Sequence, residues 1–133
     1  IAIDPIDPKD ADAYSKRGYF RGNLKDYEGA IRDNTKAIEL NPNDADAYYN
    51  RALNKYDLED FKGAQEDFNK AIALGNKGTE TYLLDYWSRA ECKFELEDLN
   101  GALDDIKKLL EIYPDDKDLI ERKDFFENIK GNL

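Results

Sequence analysis

The chain has 133 residues, the length of one ordinary domain, with 41% apolar residues to build a core and 38% charged residues to cover it. A formal net charge of -10 and a pI near 4.5 disfavour nucleic acid and anionic membrane surfaces, both of which select a basic face. No run approaches the ~20 apolar residues of a membrane span, histidine is absent, and the lone Cys92 permits no intrachain disulfide.

Residues 1–10 open the chain. Pro8 stands one period before Pro42, so this stretch reads as the tail of a truncated earlier unit. Ile1, Ile3 and Ile6 are expected to pack along the first unit or against a neighbouring chain. Asp4, Asp7, Asp10 and Asp12 lack the mid-loop glycine and terminal glutamate of a calcium loop, so no metal is assigned. No signal-peptide pattern is visible, and the start at Ile1 rather than Met leaves room for a leader or an upstream domain. One thiol is compatible with a reducing compartment. The location is open, with the cytoplasm favoured.

Three units follow, over 11–44, 45–78 and 83–116. The dipeptide Gly29-Ala30 recurs as Gly63-Ala64 after 34 residues and as Gly101-Ala102 after a further 38. The same two steps align Tyr14, Tyr48 and Tyr86; Arg17, Arg51 and Arg89; Leu24, Leu58 and Leu96; Asp26, Asp60 and Asp98; and Asp33, Asp67 and Asp105. Periods of this size signal stacked repeats, because one helix pair cannot bury both of its apolar faces alone. Residues 79–82 are an insertion between the second and third units.

Each unit reads as two helices. In the second, 45–57 is capped by Asn43 or Asp44, and 61–74 by Asp60. Ala64, Phe68, Ala71 and Ile72 make an amphipathic stripe. Pro42 and Pro114 stop the helices before them, with Asn76 between Gly75 and Gly78 in that place in the second unit. Small residues at Gly18, Ala52 and Ala90, facing Ala30, Ala64 and Ala102, allow close helix approach, and the recurring Gly-Ala is assigned to the same packing. A last helix over 117–130, capped by Asp115 or Asp116, places Leu119, Phe126, Ile129 and Leu133 near one face. It reads as the polar cap of the array, with 117–133 as its extent.

No chemistry-bearing constellation emerges. Cys92 has no histidine to activate it. The adjacent acids Glu97-Asp98, Asp104-Asp105 and Asp115-Asp116 point about 100° apart along a helix and do not converge. No glycine-rich phosphate loop occurs. The chain is expected to be no enzyme and to need no cofactor.

The array resembles the tetratricopeptide repeat family. The residues that carry the likeness are Tyr48, Ala52, Tyr56, Phe61, Ala64, Phe68 and Ala71 in the second unit, with Tyr14, Gly18, Tyr27, Ala30, Ala37 and Pro42, and Tyr86, Ala90, Leu99, Ala102, Leu109 and Pro114, in the others. The resemblance implies an all-α, right-handed superhelical solenoid of antiparallel helix pairs. One departure is that the family often has glycine in the turn inside a pair, where this chain has Lys25, Glu59 and Glu97. Those residues are expected in a left-handed backbone, at some strain.

The resemblance also implies that the first helices line a concave groove for a peptide or partner protein. Its positions fall on Asp12, Ser15 and Tyr19; on Asp46, Tyr49, Asn50, Leu53, Tyr56 and Asp57; and on Leu84, Trp87, Ser88, Glu91, Phe94 and Glu95. Tyr49 and Trp87 occupy the more outward face of their helices, whereas Tyr56 and Phe94 serve either ligand contact or packing against the next unit. Acids outnumber bases ten to four in 83–116, and Glu91 and Glu95 lie one turn apart. The expected ligand therefore carries apolar side chains and a Lys or Arg. One family subgroup grips acidic chaperone tails through a Lys, Asn and Arg clamp. Only Asn50 matches it, while Ser15, Leu84 and Ser88 stand at the basic positions. The alternative reading is a self-associating homo-oligomer joined through the incomplete N-terminal end.

Overall fold

The computed structural model describes residues 5–75 and 79–133. The expected Ile1, Ile3, Asp4, Asn76 and Gly78 lie outside them. The described residues form seven α-helices and no strand: α1 (Ala11–Asn23), α2 (Tyr27–Leu40), α3 (Ala45–Asp57), α4 (Phe61–Leu74), α5 (Glu80–Glu95), α6 (Leu99–Ile112) and α7 (Lys117–Gly131). They divide into two compact units, 1–74 and 75–133. In the first, α1 pairs with α2 and α3 with α4, and the pairs nest through α2 against α3. In the second, α5 pairs with α6, and α6 carries α7.

Short acidic side chains start the helices. Asp10, Asp26, Asp44, Asp98 and Asp116 each accept a hydrogen bond from the backbone N–H three residues on, and Asp60 does the same for Gly63. Within each pair the turn is the same. Lys25, Glu59 and Glu97 have φ of 65°, 63° and 64°. At the α3 end, Glu59 N–H donates to the Tyr56 carbonyl (2.9 Å) and Asp60 N–H to the Lys55 carbonyl (2.8 Å). The equivalent bonds recur around Lys25 and Glu97. This is the Schellman arrangement, which satisfies orphan carbonyls by sending one residue left-handed.

The recurring glycine has a different cause from the one its sequence position suggested. A Cβ at Gly29, Gly63 or Gly101 would lie 2.2–2.3 Å from the capping carboxylate of Asp26, Asp60 or Asp98. The glycine makes room for the cap, not for a facing helix. Gly18 does fulfil the packing expectation: a Cβ there would come within 2.9 Å of Asn34 Nδ2 and 3.2 Å of the Ala30 carbonyl.

Inside each pair, an arginine of the first helix grips an aspartate of the second. Arg17 holds Asp33, Arg51 holds Asp67 and Arg89 holds Asp105 through paired bonds of 2.6–2.9 Å. Arg21, Lys55 and Lys93 add a second cation to the same three carboxylates. Arg51 Nη1 also reaches Thr35 Oγ1 (3.2 Å), which ties α3 to the preceding pair. Around these polar pins each unit has its own apolar core: Ala30, Ala37, Ala52 and Ala64 with Phe68 in the first, and Ala90 and Ala102 with Ile106, Leu109 and Phe126 in the second, all fully buried.

Residues 79–82 are continuous with α5. Thr79 caps that helix by accepting from Tyr82 N–H, and Tyr82 is buried with its hydroxyl donating to the Tyr86 hydroxyl (3.1 Å). At the start, Ile6 packs on Tyr14, Ala37 and Ala47. At the end, α7 buries Leu119 and Phe126, half-buries Ile129 and leaves Leu133 at 93% exposure, so Leu133 is not part of the apolar face expected of it. None of the described helices is long and apolar enough to cross a membrane.

Candidate functional site

The second unit has an open cleft between α5 and α7, with a volume of about 470 Å³. From α5 come Leu83, Leu84 and Trp87; from α7 come Leu119, Arg122 and Phe125, with Asp116, Asp118 and Glu121 also lining it. The spacing accounts for this. Leu84 and Trp87 are three apart on α5, and Asp118, Glu121, Arg122 and Phe125 recur at three- and four-residue intervals on α7, so each set shares a face. Trp87 is half-buried and Leu84 exposed. Apolar walls with a few polar groups suit the binding of a side chain.

Among the described residues, Arg122 is the cation lining the cleft. Its Nε and Nη2 donate to Glu91 Oε1 and Oε2 at 2.6 and 2.5 Å. Its guanidinium lies 4.6 Å from the Phe125 ring centre, 4.7 Å from Phe126 and 5.5 Å from Phe94. Phe94 in turn packs on Phe125 and Phe126, with ring centres 5.7 and 5.3 Å away. Asp116 spends one oxygen as the cap of α7. Among the described residues, Asp118 and Glu121 have no ion-pair partner.

The expected groove residues divide between the two units. On the second, Leu84 and Trp87 meet at the cleft and Ser88 is half-buried. Glu91 and Phe94 are committed to α7, so Glu91 is not the free acid the sequence suggested, and of the pair one turn apart only Glu95 stays exposed. On the first unit, Asp12 is exposed and pairs with Lys16, and Tyr19 is 53% exposed with its edge against Phe20. Tyr49 leans on Phe68 at 5.9 Å and Tyr56 on Phe61 at 5.1 Å. Ser15, Asn50 and Leu53 are half-buried, and Asp46 and Asp57 exposed. Sequence reasoning treated α7 as a cap and so missed Arg122, Phe125, Asp118 and Glu121. The triplet of Arg122, Phe125 and Phe126 was the available signal.

Cys92 is fully buried. Burial, reinforced by Glu91 and Glu95, pushes its thiol up to about 12, so it is no nucleophile at neutral pH.

Residues 11–44 and 45–74 each match a sequence profile of the tetratricopeptide repeat. Residues 11–74 belong to the tetratricopeptide repeat family. No curated protein sequence matches the chain. Among solved structures, the first tetratricopeptide domain of Spaghetti (RPAP3), bound to the HSP90 peptide SRMEEVD, is 25% identical, with a TM-score of 0.81 over 95% of this chain and 97% of that one. The first such domain of human RPAP3 is also 25% identical, with a TM-score of 0.78 over 95% and 96%. MamA, at 20% identity and a TM-score of 0.85, covers 94% of this chain with 71% of its own and shares the fold. The all-α architecture of antiparallel pairs is thus that of tetratricopeptide repeats, and α5–α6 repeats the cap, turn and Arg–Asp pin of the two matched pairs.

Proposed function

We propose that this tetratricopeptide protein is a non-catalytic interaction scaffold that takes a peptide, or an exposed segment of a partner protein, in the cleft between α5 and α7. The observation that carries the reading is the open apolar cleft around Trp87, with the carboxylates of Asp118 and Glu121 at its edge. A large apolar side chain fits such walls, and a neighbouring Lys or Arg matches the edge charge. Spaghetti's domain binding an HSP90 peptide, and the second human RPAP3 domain binding an HSP70 peptide, support a peptide as the class of ligand. On the first unit, Asp12, Tyr19, Tyr49, Asn50, Leu53 and Tyr56 are proposed as further contacts.

Trp87 is the single tryptophan, so its emission reports on the cleft directly. Titration with an acetylated, amidated Leu-Phe-Lys-Lys peptide should shift that emission with saturation, and Trp87→Ala should weaken binding measured by calorimetry. A Trp87 signal indifferent to apolar-basic peptides would reject the reading.

A second reading is self-association. In α3 the buried Asn54 lies under α1, where a Cβ on Gly22 would come within 2.8 Å of its Oδ1. Phe20 holds the same register in α1 yet is 64% exposed, beside Leu24 at 81%. That uncovered apolar face suits a second copy. Mass in solution across a dilution series decides it, and a concentration-independent monomer removes it.

A further inference from the structure

We infer that the Arg122 guanidinium is a carboxylate-binding site filled by the chain's own Glu91, so that Glu91 is the residue that closes the cleft to acidic ligands. The inference rests on the cleft being the binding site.

The pair does not belong to the repeat. The three Arg–Asp pins recur at a separation of 16 residues, and their carboxylates are almost wholly buried. Arg122 and Glu91 are 31 residues apart, with side chains 25% and 18% exposed. At the position of Glu91 the other two repeats carry Tyr19 and Leu53, so the fold asks for no acid there.

The arginine is shaped for an anion. Stacking over Phe94, Phe125 and Phe126 fixes its plane, so its fork is already oriented when a carboxylate arrives. Among the described residues it is the only cation lining the cleft, and Glu91 takes two of its donor nitrogens. An incoming carboxylate must displace Glu91 and pass Asp118 and Glu121. A lysine meets no such competition. With Glu91 neutral or apolar, the rings still hold the guanidinium, now open to the cleft.

The test uses the full chain and Trp87 emission or calorimetry. The probes are acetylated Leu-Phe-Lys-Lys amide and acetylated Leu-Phe-Glu-Glu, the latter with either a free or an amidated C-terminus. In the unmodified chain the Glu peptides should bind about tenfold more weakly than the Lys peptide. Glu91→Gln should tighten the Glu peptides by about tenfold, the worth of a charge-assisted bidentate bond, and Glu91→Gln with Arg122→Gln should abolish the gain. Glu91→Leu, the residue type of the second repeat, should give the same gain while suiting the repeat's packing. Comparing the two C-termini separates a side-chain from a terminal carboxylate. If both Glu91 variants keep their helix content and bind the Glu peptides no better than before, the inference is overturned even where the Lys peptide still binds. If the unmodified chain binds no peptide, the reading of the cleft fails, and a Glu91 variant that nonetheless acquires the Glu peptides upholds the arginine site.

Discussion

Glu59→Gly should make the protein more stable, although it removes a side chain and adds flexibility. Glu59 has φ of 63°, a conformation that costs an L-residue about 1–2 kcal/mol and glycine almost nothing. Against that gain, glycine loses more freedom on folding, about 0.5–1 kcal/mol relative to alanine. The Glu59 side chain is exposed, so little contact energy enters the balance. The net is a gain of roughly 0.5–1 kcal/mol. For a slope of ~2 kcal/mol/M, the urea midpoint should rise by about 0.4 M, read by far-UV circular dichroism. Glu59→Ala is the control, because it keeps the Cβ and the strain. A glycine variant no more stable than the alanine variant would refute the claim that this turn stores strain, and Lys25 and Glu97 would lose the same interpretation.

Asp67→Ala should cost about 3–5 kcal/mol, because it leaves Arg51 and Lys55 half-buried without their carboxylate. Asp33→Ala should cost less, since Arg17 and Arg21 are more exposed and can turn to water; equal losses in urea denaturation would contradict this. The thiol of Cys92 should resist labelling at pH 8 until the chain unfolds, and prompt labelling of the native protein would contradict its burial. Burial raises Cys92 from 9.0 to about 12, and burial with the bond to Tyr86 raises Tyr82 from 10.0 to about 12. A raised folded value means these groups leave stability intact below about pH 9 and erode it as pH climbs towards 12. Cys92→Ala should move the onset of alkaline unfolding upward.

The borders of α3 and α4, the caps Asp44, Asp60 and Asp116, and the left-handed turn residues were legible in sequence, because each is a local event read from a few adjacent residues; the start of α5 at Glu80, capped by Thr79, was not, since 79–82 read as an insertion. The Arg–Asp pins were half legible. Both columns are visible, and each pair is symmetric about its turn residue: Arg17 and Asp33 lie eight positions either side of Lys25, as Arg51 and Asp67 do of Glu59. Antiparallel folding about that residue brings them together. The glycine of Gly-Ala was assigned to packing because sequence spacing does not show which way a carboxylate turns back on its own helix. The cleft was least legible. Trp87 was expected on the outward face and Leu84 among the groove positions, but the pairing of Glu91 with Arg122 spans 31 residues and follows no repeat period.

Asp60 ends one helix and begins the next: its N–H closes the last turn of α3, while its carbonyl and carboxylate accept the Ala64 and Gly63 amides of α4. Neither helix end can therefore fray without releasing the other. In hydrogen exchange, the amides of Glu59 and Asp60 should open together with those of Gly63 and Ala64, which makes the helix pair, rather than the single helix, the smallest piece able to come loose.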